Sequence, residues 1–274
     1  MGFGVYGAEG ATLDGDLWVE DVQGIGVLLS GTALNGDVAV SGVGAATSTA
    51  TGFGVAVQDA GQLTGQVSVE GVSGPGLSVV AGGLVSGGLV AVDTAFAALV
   101  IEGADAELDL AIEGVSPDAH AGGGVGVFID DRPHGPSEVL LKGSVQGAPL
   151  SAVYQRGLDP VSWSDCTLYG GEGVTVGPKT LHGEGLVALD GARPKLSNCT
   201  VVGAELGLLL DGSGAVLSDV SFQDVELSVS QQGCATDMPA LDGAPSDAEL
   251  CPQYDRLVLE LDFDSYVTET DLKQ

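Results

Sequence analysis

The chain has few cations and few aromatic residues. Of its 274 residues only 8 are Lys or Arg, against 38 Asp or Glu, and no cation precedes Arg132. A formal net charge of -30 repels nucleic-acid phosphates and anionic lipid, so we expect no nucleic-acid partner. Aromatic residues make up 5% of the chain, so a core has to be built from Val, Leu and Ala.

The chain also lacks helical and membrane-spanning patterns. No stretch keeps a 3.6-residue apolar period over three turns, which argues against helices. The longest apolar stretch, residues 84–101, contains Asp93 and has no flanking Lys or Arg, so we expect no membrane insertion. No leader precedes Phe3, and this abrupt start predicts a segment of a longer protein.

What the chain does have is glycine, 45 residues of it, and a short phrase that recurs along most of its length. The phrase is clearest at residues 53–58 (FGVAVQ), 125–130 (VGVFID) and 206–211 (LGLLLD). Looser copies start at Phe3, Ile25, Gly76, Ala97, Leu150, Glu184 and Leu227. A spacing near about 22 residues, with occasional longer intervals, is typical of a solenoid.

Each repeat reads as a set of short strands. Phe53, Val55 and Val57 alternate with small residues, and apolar alternation over a short run predicts a strand. Stacked repeats without crossover helices predict a parallel β-helix, and coils longer than about 18 residues favour the right-handed form. We therefore predict an all-β right-handed parallel β-helix of about ten coils over residues 1–232. A loop-rich C-terminal cap is expected over residues 233–274.

Three phrases carry a family resemblance: residues 163–168 (WSDCTL), 196–201 (LSNCTV) and 217–222 (LSDVSF). They resemble the right-handed parallel β-helix repeats of the pectate-lyase-like superfamily. The resemblance implies a ladder of Asn or Asp at one corner, and the residues that match this position are Asp165, Asn198 and Asp219. It implies a fold and no single activity, because that superfamily contains lyases, hydrolases, adhesins and inert stalks.

Three repeats are overlong, and the extra residues fall at the same phase, 44–52, 116–124 and 170–183. Insertions at one phase of a solenoid emerge along one edge, where they either frame a binding groove or form tolerated surface loops. A fourth excursion, residues 132–138, follows a first strand and should leave from another corner.

The four cysteines divide into two pairs. Cys166 and Cys199 hold the position of Val220 in the next repeat, which predicts a core ladder of buried thiols. A disulfide between them needs a geometry that parallel neighbours do not readily offer. Cys234 and Cys251 bracket a loop-like segment and are expected to form a disulfide, which predicts an oxidising compartment.

Catalytic residues are not expected. The resemblance directs attention to polygalacturonase-like hydrolases, whose acidic pair, His-Gly and Arg-x-Lys find counterparts in Asp130-Asp131, His182 and residues 193–195. The spacing differs from that family, and its Asn-Thr-Asp motif is absent. Asp130, Asp131 and His182 therefore stand only as an alternative catalytic set.

A sugar, if one binds, is expected beside the long loop of the seventh repeat. The candidate ligand-binding residues there are Arg156, Trp163, Tyr169, Lys179 and His182. No metal site and no cofactor is expected, since no calcium-loop motif is present. Calcium is kept as an alternative because hard cations take carboxylate oxygens.

The sequence favours a non-catalytic β-helix segment of a secreted or cell-surface protein that acts as a structural stalk or as an adhesive, carbohydrate-binding surface. Its expected partners are a polysaccharide or another surface protein. The first alternative is a polysaccharide lyase or glycoside hydrolase with a groove along the looped edge. The second is a calcium-dependent surface protein.

Overall fold

The computed structural model describes most of the chain. The described residues are 2–7, 10–45, 52–117, 124–132, 137–157, 161–176, 179–181, 183–235, 238–252 and 256, with only the backbone of 174–176 and 179–181. Within them every regular element is a β-strand, and no helix occurs. The prediction of an all-β protein is therefore confirmed.

The strands follow one another as β1 (Gly2–Gly7), β2 (Thr12–Asp14), β3 (Leu17–Glu20), β4 (Gly24–Ser30), β5 (Ala33–Asn35), β6 (Val38–Ser41), β7 (Phe53–Gln58), β8 (Gln62–Val72), β9 (Leu77–Val80), β10 (Leu84–Ala95), β11 (Ala97–Glu102), β12 (Asp105–Ser116), β13 (Val125–Asp130), β14 (Val139–Gln146), β15 (Ser151–Arg156), β16 (Val161–Tyr169), β17 (Val174–Val176), β18 (Lys179–Leu181), β19 (Glu184–Leu189), β20 (Lys195–Ser197), β21 (Thr200–Val202), β22 (Leu206–Asp211), β23 (Ala215–Ser218), β24 (Ser221–Gln223), β25 (Leu227–Gln232), β26 (Leu241–Asp242) and β27 (Glu249–Leu250).

The strands build two large parallel sheets that the chain visits in turn. The eleven-stranded sheet has the order β1-β4-β7-β9-β11-β13-β15-β19-β22-β25-β27. The fourteen-stranded sheet has β2-β5-β8-β10-β12-β14-β16-β20-β23-β26 as its main path, with β3, β6, β21 and β24 beside it. This topology is compatible with a parallel β-helix, since each strand pairs with the strand one sequence repeat further along.

The pairing register agrees with the predicted starts of the repeats except at two of them. Phe3 pairs with Ile25, and Ile25 with Phe53, as the repeat predicts. The predicted starts at Gly76 and Leu150 are wrong by one residue, because Val55 pairs with Leu77 and Val125 pairs with Ser151. Glycine sets this register: a Cβ on Gly54 would overlap the carbonyl oxygen of Gly76, so small residues share one column. A one-residue slip would turn every side chain to the opposite face.

The main core lies between the two sheets. Its ladders run along the stack, and the eleven-stranded sheet contributes one as Val27, Val55, Leu77, Leu99, Val127, Val153, Leu186, Leu208 and Val229. The fourteen-stranded sheet supplies Leu63, Val85, Ala106 and Val139 from the other side. Both sheets thus bury like residues above like residues, as the stacked repeat predicts.

The two sheets differ on the face that points away from the main core. We call the outer face the side of the eleven-stranded sheet that carries a second buried apolar cluster, which includes Ile25, Leu28, Phe53, Ala56, Val100, Phe128, Tyr154, Val187 and Leu209. We call the open face the solvent side of the fourteen-stranded sheet. Along β12 the open-face side chains are exposed at every second position, as in Glu107, Asp109 and Ala111.

The cysteines form two disulfides. Cys234 pairs with Cys251, which confirms the predicted bond. Cys166 also pairs with Cys199, so the prediction of free thiols in the core was wrong. The regular pairing of β16 skips the residues between Ser164 and Thr167, and there the two Cα atoms approach to 4.5 Å. This distance lies inside the range that a disulfide spans. Both cysteines are buried, and Val220 packs at the edge of the same core.

Two of the overlong repeats show where their extra residues leave. Residues 46–51 and 118–123 lie outside the described residues, but the roots of both excursions precede β7 and β13 of the eleven-stranded sheet. The third excursion precedes β19 and contains the antiparallel pair β17 and β18. The fourth excursion follows β13, and residues 133–136 of it lie outside the described part.

The segment after residue 232 adds one short strand to each of the two large sheets. β26 pairs with β23 and β27 pairs with β25, each through two residues. Residues 236–237, 253–255 and 257–274 of the predicted cap lie outside the described residues. The capping role of residues 233–274 stays a prediction. No helix in the described chain has the length and apolarity needed to cross a membrane.

Candidate functional site

An ion-pair cluster stands at the ends of β13 and β15. The register places Asp130 beside Arg156, because these are the last paired residues of the two strands. Arg132 folds back onto Asp130: its Nε donates to Oδ1 at 2.8 Å and its Nη2 donates to Oδ2 at 2.5 Å. The pair is bidentate, which is the strongest geometry that a guanidinium and a carboxylate form.

Asp190 joins the cluster from the corner after β19. Arg156 donates to Asp190 Oδ2 from Nε at 2.9 Å and from Nη2 at 2.7 Å, and Arg132 Nη1 lies 3.4 Å from the same oxygen. Asp190 adopts a left-handed φ of 56°, which turns its carboxylate towards the two arginines. Two cations and two anions therefore alternate along this corner.

Two of the charged groups in this cluster are buried. Only 2% of Asp130 is exposed, and Arg156 is also buried. The hydrogen bond to Asp130 raises the pKa of Arg132 above its usual range. Both carboxylate oxygens of Asp130 therefore accept hydrogen bonds from Arg132, and the two opposite charges balance each other within the protein.

The alternative catalytic set is only partly visible. Asp130 belongs to the cluster, and the carboxylate of Asp131 lies against Gly157, where a Cβ would overlap its Oδ1. His182 lies outside the described residues. The set as a whole therefore stays a sequence-based hypothesis.

The candidate ligand-binding residues do not gather at one place. Trp163 is 1% exposed and belongs to the main core, so its prediction as a binding residue was wrong. It pairs with Leu141 and Leu196, which identifies an inward position. Tyr169 is 37% exposed at the end of the same strand, whereas Arg156 lies in the other sheet.

Lys179 and His182 belong to the excursion before β19. Lys179 begins β18 and pairs through its backbone with Val176. Its side chain and the whole of His182 lie outside the described part, so their predicted ligand-binding role stays a prediction.

Sequence reasoning missed Arg132 and Asp190 as members of a cluster. It placed Arg132 only at the start of the excursion 132–138 and gave Asp190 no role in a site. The signal that could have found them is the strand register, which aligns Asp130, Arg156 and Leu189 and so brings the residues after them to one corner.

Glu184 is a second buried charge-bearing group, at the start of β19. Burial is the main cause that raises its pKa to about 8. The carboxylate of Glu205 adds to this shift, whereas a backbone hydrogen bond and the guanidinium of Arg256 oppose it. Only 6% of Glu184 is exposed. This carboxyl group is therefore largely protonated, and uncharged, near neutral pH.

The open face carries a shallow depression of about 420 Å³. Side chains of four neighbouring strands line it, among them Ser86, Glu107, Asp109, Leu140, Lys142 and Ser164. Lys142 Nζ lies 3.3 Å from Asp109 Oδ2, and both side chains are exposed. The depression offers hydroxyl groups, one ion pair and an exposed leucine to a ligand lying across the strands.

The Asn and Asp positions that carried the resemblance form a corner ladder. Asp165, Asn198 and Asp219 all adopt left-handed φ angles, of 49°, 53° and 54°. Asn198 Nδ2 donates to Asp165 Oδ1 at 2.5 Å. Short polar residues tolerate this backbone region. The bond between Asn198 and Asp165 links two neighbouring repeats, so the ladder has a structural role.

Acidic residues near the N-terminal end also serve the backbone. Asp16 Oδ1 accepts from the amide of Asp37 at 3.0 Å, and Asp37 Oδ1 accepts from the amide of Gln66 at 2.8 Å. Within the described residues no group of three or more His, Cys, Asp or Glu side chains is placed to hold a metal ion.

Comparison with known proteins adds no relative. No protein-family model matches the chain, and neither the curated proteins nor the solved structures contain a significant match to it. The resemblance to the pectate-lyase-like superfamily therefore depends on the repeat phrases alone.

Proposed function

We propose that the chain is a right-handed parallel β-helix of the pectate-lyase-like kind and that it acts as a non-catalytic scaffold in a secreted or cell-surface protein. Its two parallel sheets, visited in turn with a constant register, support the solenoid. Two disulfides support an oxidising compartment, because such bonds persist outside the reducing cytosol.

The observation that carries the non-catalytic role is the bidentate pair between Asp130 and Arg132. The most buried acid of the alternative catalytic set is committed to a neighbouring cation. A general acid or base needs a carboxyl oxygen within hydrogen-bond reach of the substrate, and both oxygens of Asp130 already accept from Arg132. An ion-paired corner instead ties three neighbouring strands together, which serves a rigid stalk.

The open face is the adhesive surface in this proposal. At the depression it offers hydroxyl groups together with the charged side chains of Glu107, Asp109 and Lys142. Because the whole chain is strongly acidic, a neutral polysaccharide or a basic surface protein suits it better than an acidic polymer.

A panel of neutral and acidic polysaccharides tests the proposal through two readouts, binding and turnover. We expect binding without new reducing ends or unsaturated products, and weaker binding when Lys142→Ala and Leu140→Ser alter the open face. Turnover that disappears with Asp131→Ala or His182→Ala would instead establish the lyase or hydrolase alternative. Glu20→Gln, on the same sheet but away from the depression, is the matched control.

The calcium alternative is tested by titration calorimetry with calcium chloride. Its only support is the acidity of the chain, since the carboxylates of Asp16 and Asp37 already accept backbone amides. Heat of binding together with a thermal shift would favour it over the scaffold proposal.

A further inference from the structure

The depression on the open face lies where four neighbouring strands each present one side chain in a row. From β10 to β16 these are Ser86, Glu107, Leu140 and Ser162, and each pairs with the next. All four line the depression. One carboxylate and one apolar side chain therefore stand between two hydroxyl groups. Because neighbouring strands lie about 4.8 Å apart, the row is about 14 Å long and runs along the stacking direction.

The charges beside this row are unbalanced. A second row lies two residues further along the same strands and consists of Gly88, Asp109, Lys142 and Ser164. Lys142 Nζ lies 3.3 Å from Asp109 Oδ2, so these two charges are paired. Within the described part of the chain, the exposed carboxylate of Glu107 has no hydrogen-bond or ion-pair partner. One negative charge in the depression is therefore left for a cationic group of a ligand.

The strands beneath the depression offer no backbone groups to a peptide. β10, β12, β14 and β16 are interior strands of the fourteen-stranded sheet, and each pairs with a strand on both sides. A peptide that adds a strand to a sheet needs a free edge, where N–H and C=O groups are unpaired. A ligand of this depression must therefore be recognised by side chains alone.

The side chains of the row suit a sugar. The hydroxyl groups of Ser86 and Ser162 both donate and accept hydrogen bonds, as the hydroxyl groups of a sugar do. The side chain of Leu140 is 43% exposed between them. The ring C–H groups of a pyranose form an apolar face that can lie on such a side chain. Hydroxyl, apolar and anionic groups in one row thus favour a sugar that carries a positive charge.

We propose that the depression binds a polysaccharide whose units carry protonated amino groups. The carboxylate of Glu107 accepts hydrogen bonds from one ammonium group, and a sugar ring lies on Leu140. The hydroxyl groups of Ser86 and Ser162 bind the neighbouring units, since the polymer crosses the strands along the row. This inference rests on the proposed function, in which the open face is the adhesive surface, and it names the charge and class of the ligand.

The test compares two oligosaccharides of equal length and linkage. One is a β-1,4-linked glucosamine oligomer, and the other is its fully N-acetylated counterpart, which has no positive charge. Titration calorimetry uses the whole chain in a mildly acidic buffer of low ionic strength, in which the amines are protonated. We expect the glucosamine oligomer to bind more tightly. Glu107→Gln should lower its affinity about fivefold and leave the affinity for the acetylated oligomer unchanged.

Two further variants serve as controls. Glu113→Gln removes the same charge from an exposed position of the same strand, outside the depression, and should leave both affinities unchanged. Leu140→Ser should weaken the binding of both oligomers, because the contact with the sugar ring does not depend on the amine.

The possible results separate this inference from the proposed function. Equal affinities for the two oligomers, or equal losses from Glu107→Gln and Glu113→Gln, would overturn the inference and leave an adhesive open face. Tighter binding of a lysine oligomer that also depends on Glu107 would assign the depression to a basic protein instead. If no polysaccharide binds to the open face, the proposed adhesive function fails together with the inference.

Discussion

The two large sheets show how one repeat produces two kinds of parallel sheet. In β12 of the fourteen-stranded sheet, exposed and buried residues alternate from Asp105 to Glu113. In β11 and β13 of the eleven-stranded sheet, every residue is buried. Both sheets have parallel pairing and share the main core, so the difference comes from the second face alone. Covering that face removes the polar side chains from alternate positions.

The strongest test of this contrast places the same substitution on the second face of each sheet. Val100→Asp buries a carboxylate on the outer face, whereas Val90→Asp adds one on the open face, where Val90 is 38% exposed. We expect the first change to lower the free energy of unfolding by more than about 4 kcal/mol and the second by less than about 0.5 kcal/mol. Urea unfolding followed by circular dichroism measures both, and similar losses would contradict the contrast.

A second test compares the two disulfides, which staple different sheets. Cys166 and Cys199 join neighbouring turns of the fourteen-stranded sheet over a sequence separation of 33, and Cys234 and Cys251 close a separation of 17 beside β25 and β27. The loop-closure model predicts losses of about 4 and about 3 kcal/mol when each pair is changed to serine. Denaturant midpoints measure them, and a loss below about 1 kcal/mol for Cys166→Ser with Cys199→Ser would show that stacking alone fixes those turns.

The third test is the pH dependence of the free energy of unfolding that Glu184, in the eleven-stranded sheet, should produce. Burial raises the pKa of Glu184 from 4.5 to about 8, so the folded state holds a proton that the unfolded state releases. Below pH 4.5 both states are protonated, and the free energy of unfolding then falls as pH rises from 4.5 to 8. The loss should reach roughly 4 kcal/mol by pH 8.

Thermal unfolding at pH 5 and pH 8 checks this dependence. Glu184→Gln should stabilise the protein at pH 8 and flatten the profile, because the amide cannot ionise. Glu113→Gln removes a carboxylate from an exposed position of the fourteen-stranded sheet and serves as the control. A profile that Glu184→Gln leaves unchanged would locate the pH dependence elsewhere.

Much of the fold could be predicted from the sequence because each repeat alternates large apolar side chains with small ones. Apolar alternation at residues 53–58 predicted strands, and their spacing predicted parallel stacking, both of which the sheet pairing confirms. The register at Gly76 could not be predicted, since it depends on a contact between Gly54 and the next turn of backbone. A close approach between the backbones of two repeats leaves no pattern in the sequence of either repeat.

The candidate site was less predictable, because it depends on which residues become neighbours. Asp130 was singled out, but its partner Arg132 was read as part of a loop. Trp163 was read as a surface platform although its register with Leu196 makes it a core residue. Cys166 and Cys199 were correctly stacked but were expected to remain thiols, since the interruption of pairing beside them is a tertiary feature.

The antiparallel pair β17 and β18 shows that a long excursion can leave the pairing of the strands on either side of it unchanged. Ser151 pairs with Glu184 in the same register as its neighbours, although a hairpin intervenes between them. A foreign peptide grafted between those two short strands would leave the neighbouring turns aligned. This excursion is therefore a position where evolution, or an engineer, can change a recognition surface without redesigning the stacked strands beside it.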